Sequence, residues 1–226
     1  NNVETLSNVP LILKNGAEWF AALGPEKNGG PKLFCVSGHV KRPGVYEAPM
    51  TITLRELIEG HAGGVRDGRS LKAVIPGGSS VPILLPDQLD TQASFDGVAK
   101  AGSLLGSAGI IVLDDTTCMV WLATNLLHFY RHESCGKCTP CREGTDWLHK
   151  ILQKIEHGDG QLRDLDLLSS ISGNIAGKTL CAFGDAAVTP VLTTLKHFRH
   201  EYEAHIKEGR CTLPADWRAR QTVGAH

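Results

Sequence analysis

Glu133-Ser134-Cys135-Gly136-Lys137-Cys138-Thr139-Pro140-Cys141-Arg142, read together with Cys181 40 positions after Cys141, is the stretch on which the reading of this chain turns. Three thiols at i, i+3 and i+6 in a non-helical loop can curl around one object and present sulfur from three sides. A single distant cysteine can close the fourth corner. Structural zinc usually sits between two C-x2-C knuckles or among mixed cysteine and histidine, whereas C-x2-C-x2-C is an iron–sulfur spacing. A ferredoxin would carry its next cysteine where Thr145 stands, so the fourth ligand is expected elsewhere. Cys181, in Thr179-Leu180-Cys181-Ala182-Phe183-Gly184-Asp185, is the best candidate. The expectation is a cubane [4Fe-4S] cluster held by Cys135, Cys138, Cys141 and Cys181.

The neighbours of the triplet suit an anionic cofactor. Gly136 lets the backbone approach closely and aim N–H groups at sulfide. Lys137 and Arg142 add positive charge, and Pro140 suits the first turn of a following helix, whose N-terminus is partially positive. Each of these favours the reduced, more negative cluster and so raises its potential.

The 226 residues suffice for one large domain or two small ones. Hydrophobic content of 42% with 21% charged residues indicates a folded, soluble protein. A formal charge of −1 without a long basic run recommends neither nucleic acid nor an anionic membrane surface as partner. No apolar stretch reaches the roughly 18 residues of a membrane-spanning helix. Seven cysteines, three of them crowded together, fit a disulfide framework poorly and a reducing compartment well. The opening Asn1-Asn2-Val3-Glu4-Thr5 has neither an initiator methionine nor a targeting segment, and reads as the back part of something longer.

In chain order, residues 8–23 read as a helix capped by Asn8, with Pro10 in its first turn and Gly24 at its end. Residues 25–31 have linker composition. Strands are expected at 32–37 and 45–48 as a hairpin, then at 71–75 and 81–85 joined by Pro76-Gly77-Gly78-Ser79-Ser80. Between the pairs, Thr53-Leu54-Arg55-Glu56 has the capping-box signature, with Leu54, Leu57 and Ile58 as the buried face of a short helix ending at Gly60. The order ββαββ suggests a ubiquitin-like β-grasp. Gly77-Gly78-Ser79-Ser80 lacks the lysine and following helix of a phosphate cradle, and Gly63-Gly64-Val65-Arg66-Asp67-Gly68 does not match a dinucleotide fingerprint.

After a buried strand at 109–113, the period turns helical. Met119, Leu122, Leu126 and Phe129 form one stripe, with Val120, Ala123, Leu127 and Tyr130 beside it. Trp147, Leu148, Ile151, Leu152 and Ile155 mark a second helix, Leu165, Leu167, Leu168 and Ile171 a third, and Val191, Leu195, Phe198, Tyr202 and Ile206 a fourth that begins near Pro190. Four such helices make a bundle with the triplet between the first two and Cys181 between the last two, so that both loops can meet at one end. Cys35 reads as core, Cys118 as a helix start, Cys211 as near the tail, and His132 as a surface residue close to the triplet.

The segment Glu133 to Gly144 with the later Cys181, the opening Asn1-Asn2-Val3-Glu4-Thr5-Leu6, and Ala73-Val74-Ile75-Pro76-Gly77-Gly78-Ser79 resemble the NADH-binding flavoprotein subunit of NADH:quinone oxidoreductase, respiratory complex I. The resemblance implies an α+β fold. Residues 1–29 would end a flavin and NADH domain, 30–114 form a soluble-ligand-binding β-grasp domain, 115–209 form the helical-bundle [4Fe-4S] domain, and 210–226 form an extended tail. It further implies that Asn1 and Asn2 contact FMN, that NADH gives a hydride to FMN, and that the cluster takes electrons one at a time. The implied partners are other peripheral-arm subunits of complex I, especially the thioredoxin-like [2Fe-2S] subunit and the multi-cluster iron–sulfur subunit. The implied location is the cytoplasmic face of a bacterial inner membrane, or the matrix side in a mitochondrion. The family's glycine-rich flavin and NADH segment has no counterpart in these residues, so the chain alone is not expected to oxidise NADH.

Two other readings stand beside this one. Diaphorase-type subunits of NAD-linked formate dehydrogenases and hydrogenases share the architecture, but some carry extra ferredoxin-like cysteine sets at the C-terminus, where this chain has only Cys211 after Cys181. A zinc-stapled interaction module would use the same cysteines without redox chemistry.

Overall fold

The computed structural model describes residues 2–214 and Trp217. The chain divides into two compact units, one comprising the residues up to Gly78 together with Leu84–Asp115, the other Ser79–Ile83 together with the residues from Thr116 onward. The first is mixed α/β and the second helical.

The first unit opens with helix α1, Val3–Asn15, and a short α2, Ala17–Ala21. The cap of α1 is Asn2, not Asn8: the Asn2 side chain accepts the Glu4 N–H at 2.8 Å, while Asn8 lies inside the helix and donates to the Glu4 carbonyl. Gly16, at φ 95°, breaks the expected continuous helix, since that conformation is open to glycine and strained for other residues. The 25–31 stretch is more than a tether. Asn28 is buried, donates to Asp96 Oδ2 at 2.8 Å and accepts the Phe95 N–H at 3.0 Å.

Strands β1 (Pro31–Gly38) and β2 (Gly44–Pro49) form the expected antiparallel hairpin. A helical turn follows, π-type over Glu56–His61, that runs through Gly60. It opens with the capping box, in which Glu56 Oε2 accepts from the Thr53 backbone and hydroxyl while Thr53 Oγ1 accepts the Glu56 N–H. Strand β3 (Leu71–Ile75), a short α3 (Phe95–Lys100) and strand β4 (Gly109–Asp114) complete the unit.

The sheet order is β2-β1-β4-β3, with β1 and β4 parallel and the other pairs antiparallel. Residues 81–85 do not form the expected strand. They make one isolated bridge, Val74 with Leu84, and β4 occupies the place beside β3. The reason is local to the glycines. A Cβ on Gly77 would lie 2.3 Å from the Leu104 carbonyl oxygen, so the chain there is pressed against residues 104–109 instead of folding back as a hairpin. Cys35 is also corrected: Phe34 and Val36 fill the core, whereas Leu33 and Cys35 are exposed on the other face.

The second unit is built from α4 (Met119–Glu133), α5 (Thr139–Glu156), α6 (Leu162–Ile175) and α7 (Phe183–Glu208). Helix α4 packs on α5 and α7, and α6 packs on the same two. Leu127, Leu148, Leu152, Ile155, Leu165, Leu168 and Val191 lie fully buried in the shared core, each contributing on the order of 2 kcal/mol by leaving water. Phe129, Trp147 and Leu167, read from periodicity as apolar-face residues, are about half exposed. Helix α7 begins at Phe183 and carries Pro190 inside it, against the expected start near Pro190. Buried Gly184, Ala187 and Val188 extend the packed face upstream of the proline, and that packing offsets the roughly 3 kcal/mol a mid-helix proline costs.

Candidate metal centre

Helix α4 ends at Glu133 and α5 starts at Thr139, so the triplet occupies a tight connection that runs into the first turn of α5. Gly136 there adopts φ 77°, a conformation suited to glycine. Cys138 is the N-cap of α5 and Pro140 lies in its first turn, which places the Cys138 sulfur at the partially positive end of an 18-residue helix.

On the other side, the connection between α6 and α7 carries Cys181. Gly177 donates its N–H to Asp185 Oδ1 at 2.7 Å, and Thr179 donates its hydroxyl to the Cys181 carbonyl at 2.8 Å. A Cβ on Gly184 would stand 2.4 Å from Thr179 Oγ1, so only glycine allows this loop to lie so close on the start of α7. Gly144 does the same for α5 and α6, since its Cβ would meet Ile175 Cδ1 at 2.5 Å.

These constraints bring both loops to one cavity of about 150 Å³, lined by Glu133, Ser134, Cys135, Cys138, Cys141, Thr179, Cys181, Phe183 and Gly184. All four expected cysteines are on its wall. Cys141 is buried, Cys138 half-buried, and Cys135 and Cys181 exposed. The Leu180 N–H donates to Cys138 Sγ at 3.3 Å, and Ser134 Oγ lies 3.3 Å from Cys141 Sγ.

Arg142 does not point at sulfur. Its guanidinium donates to the Gly136 carbonyl at 2.6 Å and to Glu143 Oε1 at 2.8 Å, so it ties the cysteine loop to α5. Lys137 is exposed. His132 is exposed, sits 2.9 Å from Glu133 Oε1, and does not line the cavity. Asn2 is exposed at the cap of α1, and Asn1 lies outside the described residues.

The cavity fits a polynuclear cluster better than a single ion. One zinc bonded at about 2.3 Å would draw its thiolates to about 3.8 Å from one another. Among the described residues, the ligand atoms that converge within 4.8 Å belong instead to Cys118, His205 and Cys211. Periodicity gives no hint of that second group. Nor does any motif single out Ser134, Thr179, Phe183 and Gly184 as cavity residues, although each lies within three positions of a cysteine of the set.

Residues 121–205 match the family described as NADH-ubiquinone oxidoreductase-F iron-sulfur binding region, and residues 32–112 match the SLBB domain. The chain is 54% identical over 211 residues to the F 2 subunit of the NADH-quinone oxidoreductase of Rhizobium meliloti, covering 93% of this chain and 50% of that protein. It is 51% identical over 229 residues to the F subunit of the NADH-quinone oxidoreductase of Streptomyces coelicolor, covering 100% of this chain and 51% of the relative. The chain therefore spans about half the length of the curated relatives it matches. Among solved structures it is similar to the NAD+-reducing [NiFe]-hydrogenase in the air-oxidized state, with a TM-score of 0.82 and 36% identity over 91% of this chain and 35% of the other.

Proposed function

We propose that this chain, a homologue of the C-terminal part of the F subunit of NADH-quinone oxidoreductase, is the electron-carrying portion of an NADH-oxidising input subunit, with Cys135, Cys138, Cys141 and Cys181 as ligands of a [4Fe-4S] cluster. The observation that carries this reading is the single cavity in which four cysteines from two loops meet. When bound, such a cluster supplies one-electron exchange. The residues around it set how easily charge is accepted. The Leu180 N–H faces Cys138 Sγ, the α5 N-terminus adds positive potential, and Arg142 holds the Gly136 loop closed.

On this reading the first unit is a β-grasp of the soluble-ligand-binding type and the second a four-helix bundle, with boundaries near residues 30, 115 and 210. The FMN and NADH sites belong mainly to the half of the relatives' length that this chain does not cover, and Asn1 and Asn2 lie at the flavin edge. Helix α1 is consistent with such a neighbour, because none of its residues is buried and Val3 and Leu13 are each 81% exposed. The thioredoxin-like [2Fe-2S] subunit and the multi-cluster subunit of complex I are the proposed redox partners, on the cytoplasmic or matrix side of the membrane. Among the described residues, no helix is long and apolar enough to cross a membrane.

The test is iron and acid-labile sulfide content of anaerobically purified chain, with an electron paramagnetic resonance spectrum after dithionite reduction. About four irons and four sulfides per chain, both lost in Cys181→Ala and kept in Cys35→Ala, are expected. A folded sample without sulfide, or with zinc bound by the cavity cysteines, would refute the proposal.

A further inference from the structure

The convergence of Cys118, His205 and Cys211 is a second donor set, separate from the cavity. Cys118 caps α4 at the opposite end from Cys135, on the order of 25 Å away at about 1.5 Å of rise per residue. The Sγ atoms of Cys118 and Cys211 and a ring nitrogen of His205 all lie within 4.8 Å of one another. Cys118 and His205 are almost wholly buried and Cys211 is half-buried.

The imidazole is already arranged as a ligand. His205 Nδ1 lies 2.8 Å from the Glu201 carbonyl, which can only accept, so Nδ1 carries a proton. The other ring nitrogen, Nε2, faces Cys118 Sγ, 3.4 Å away. A backbone carbonyl on the far ring nitrogen is the usual means of orienting a metal-bound histidine. Cys118 in turn receives the Trp121 N–H at 3.4 Å, at the partially positive start of α4.

The backbone is shaped to bring Cys211 in. Gly209 ends α7 in the left-handed region at φ 63° and turns the chain back. Gly158 packs so closely on that turn that a Cβ would fall 2.0 Å from the Gly209 carbonyl oxygen. Beyond Cys211, the buried Trp217 ring stands edge-on to Trp121 of α4 at 5.7 Å.

We propose that Cys118, His205 and Cys211 bind a zinc ion that staples the segment after α7 to the N-terminus of α4. Two thiolates and an imidazole are a zinc donor set. Binding requires both sulfurs as thiolates and an unprotonated Nε2, releases to solvent the protons they carry, and ties three points far apart in sequence. The ion holds one end of the helical unit, away from the cysteine cavity, and three protein donors leave its fourth position to water.

The experiment is metal analysis and zinc-edge X-ray absorption on the full chain, purified with its iron intact from zinc-supplemented medium. About one zinc per chain is expected, with a first shell of two sulfurs and at least one imidazole nitrogen. His205→Gln and Cys211→Ser should each lower zinc at least several-fold while leaving iron and sulfide per chain unchanged. Should both variants unfold, the first shell of the parent protein decides the matter. No zinc above trace in the parent, or a first shell of four sulfurs, would overturn the assignment. Iron and sulfide report the cavity and zinc reports this site, so either proposal can fail while the other stands.

Discussion

The backbone N–H of Leu180 donates to Cys138 Sγ at 3.3 Å across 42 positions of sequence, linking the two loops that carry the cysteine set. Amide donors to ligand sulfur stabilise the more negative state of a cluster. Leu180→Pro, which deletes the donor, is expected to lower the reduction potential of the proposed cluster, and Leu180→Ala, which keeps it, to leave the potential unchanged. A redox titration followed by electron paramagnetic resonance measures both. Equal potentials in the two variants would remove this bond from the account.

Gly184 is expected to be intolerant of any side chain. The 2.4 Å that would separate its Cβ from Thr179 Oγ1 forces the Cys181 loop away from α7. Gly184→Ala should destabilise by about 1–3 kcal/mol and lower the iron content per chain. Chemical denaturation and iron analysis check the two effects, and wild-type iron loading would show that the loop has room to adjust.

Thr194 and Tyr202 form a fully buried hydroxyl pair 2.7 Å apart in α7. Burial pushes the Tyr202 phenol well above its ordinary range, so it stays neutral. Thr194→Val keeps the shape and strands the phenol without that partner, at an expected cost of about 1–3 kcal/mol. Thr194→Ser should recover most of the loss in a urea melt.

Stability should fall on mild acidification through His149. The ring is buried, its Nδ1 has no hydrogen-bond partner among the described residues, and burial followed by the positive charge of Arg131 and His128 holds its pKa below the usual 6.5. Because the unfolded chain then binds the proton more readily, the folded state has its full advantage above pH 6.5 and loses it as pH falls below that value. His39 acts in the same direction, burial being its largest cause, although Asp114 opposes it. Thermal melts between about pH 8 and 5 should show a flatter profile for His149→Leu than for the parent. Parallel profiles would exclude His149 as a source of the dependence.

The sequence by itself determined what is local. Three cysteines in seven positions, Pro140 just after Cys138, and apolar stripes at helical spacing are short-range patterns, and the α5 start, the capping box at Thr53 and the β1–β2 hairpin follow from them. Tertiary structure decided what depends on partners. Which face of β1 is buried was settled by packing: Phe34 and Val36 point inward and Cys35 outward, a choice that a one-residue change of register reverses. Residues 81–85 failed to become a strand because Gly77 presses on Leu104 and Leu105 and β4 pairs with β3. Pro190 sits inside α7 because buried neighbours on both sides outweigh its local preference. Cys118 and His205, 87 positions apart, share no periodicity that could announce them. Side chains so distant meet only when whole helices pack, and that is a property of the assembled core, which no window of sequence contains.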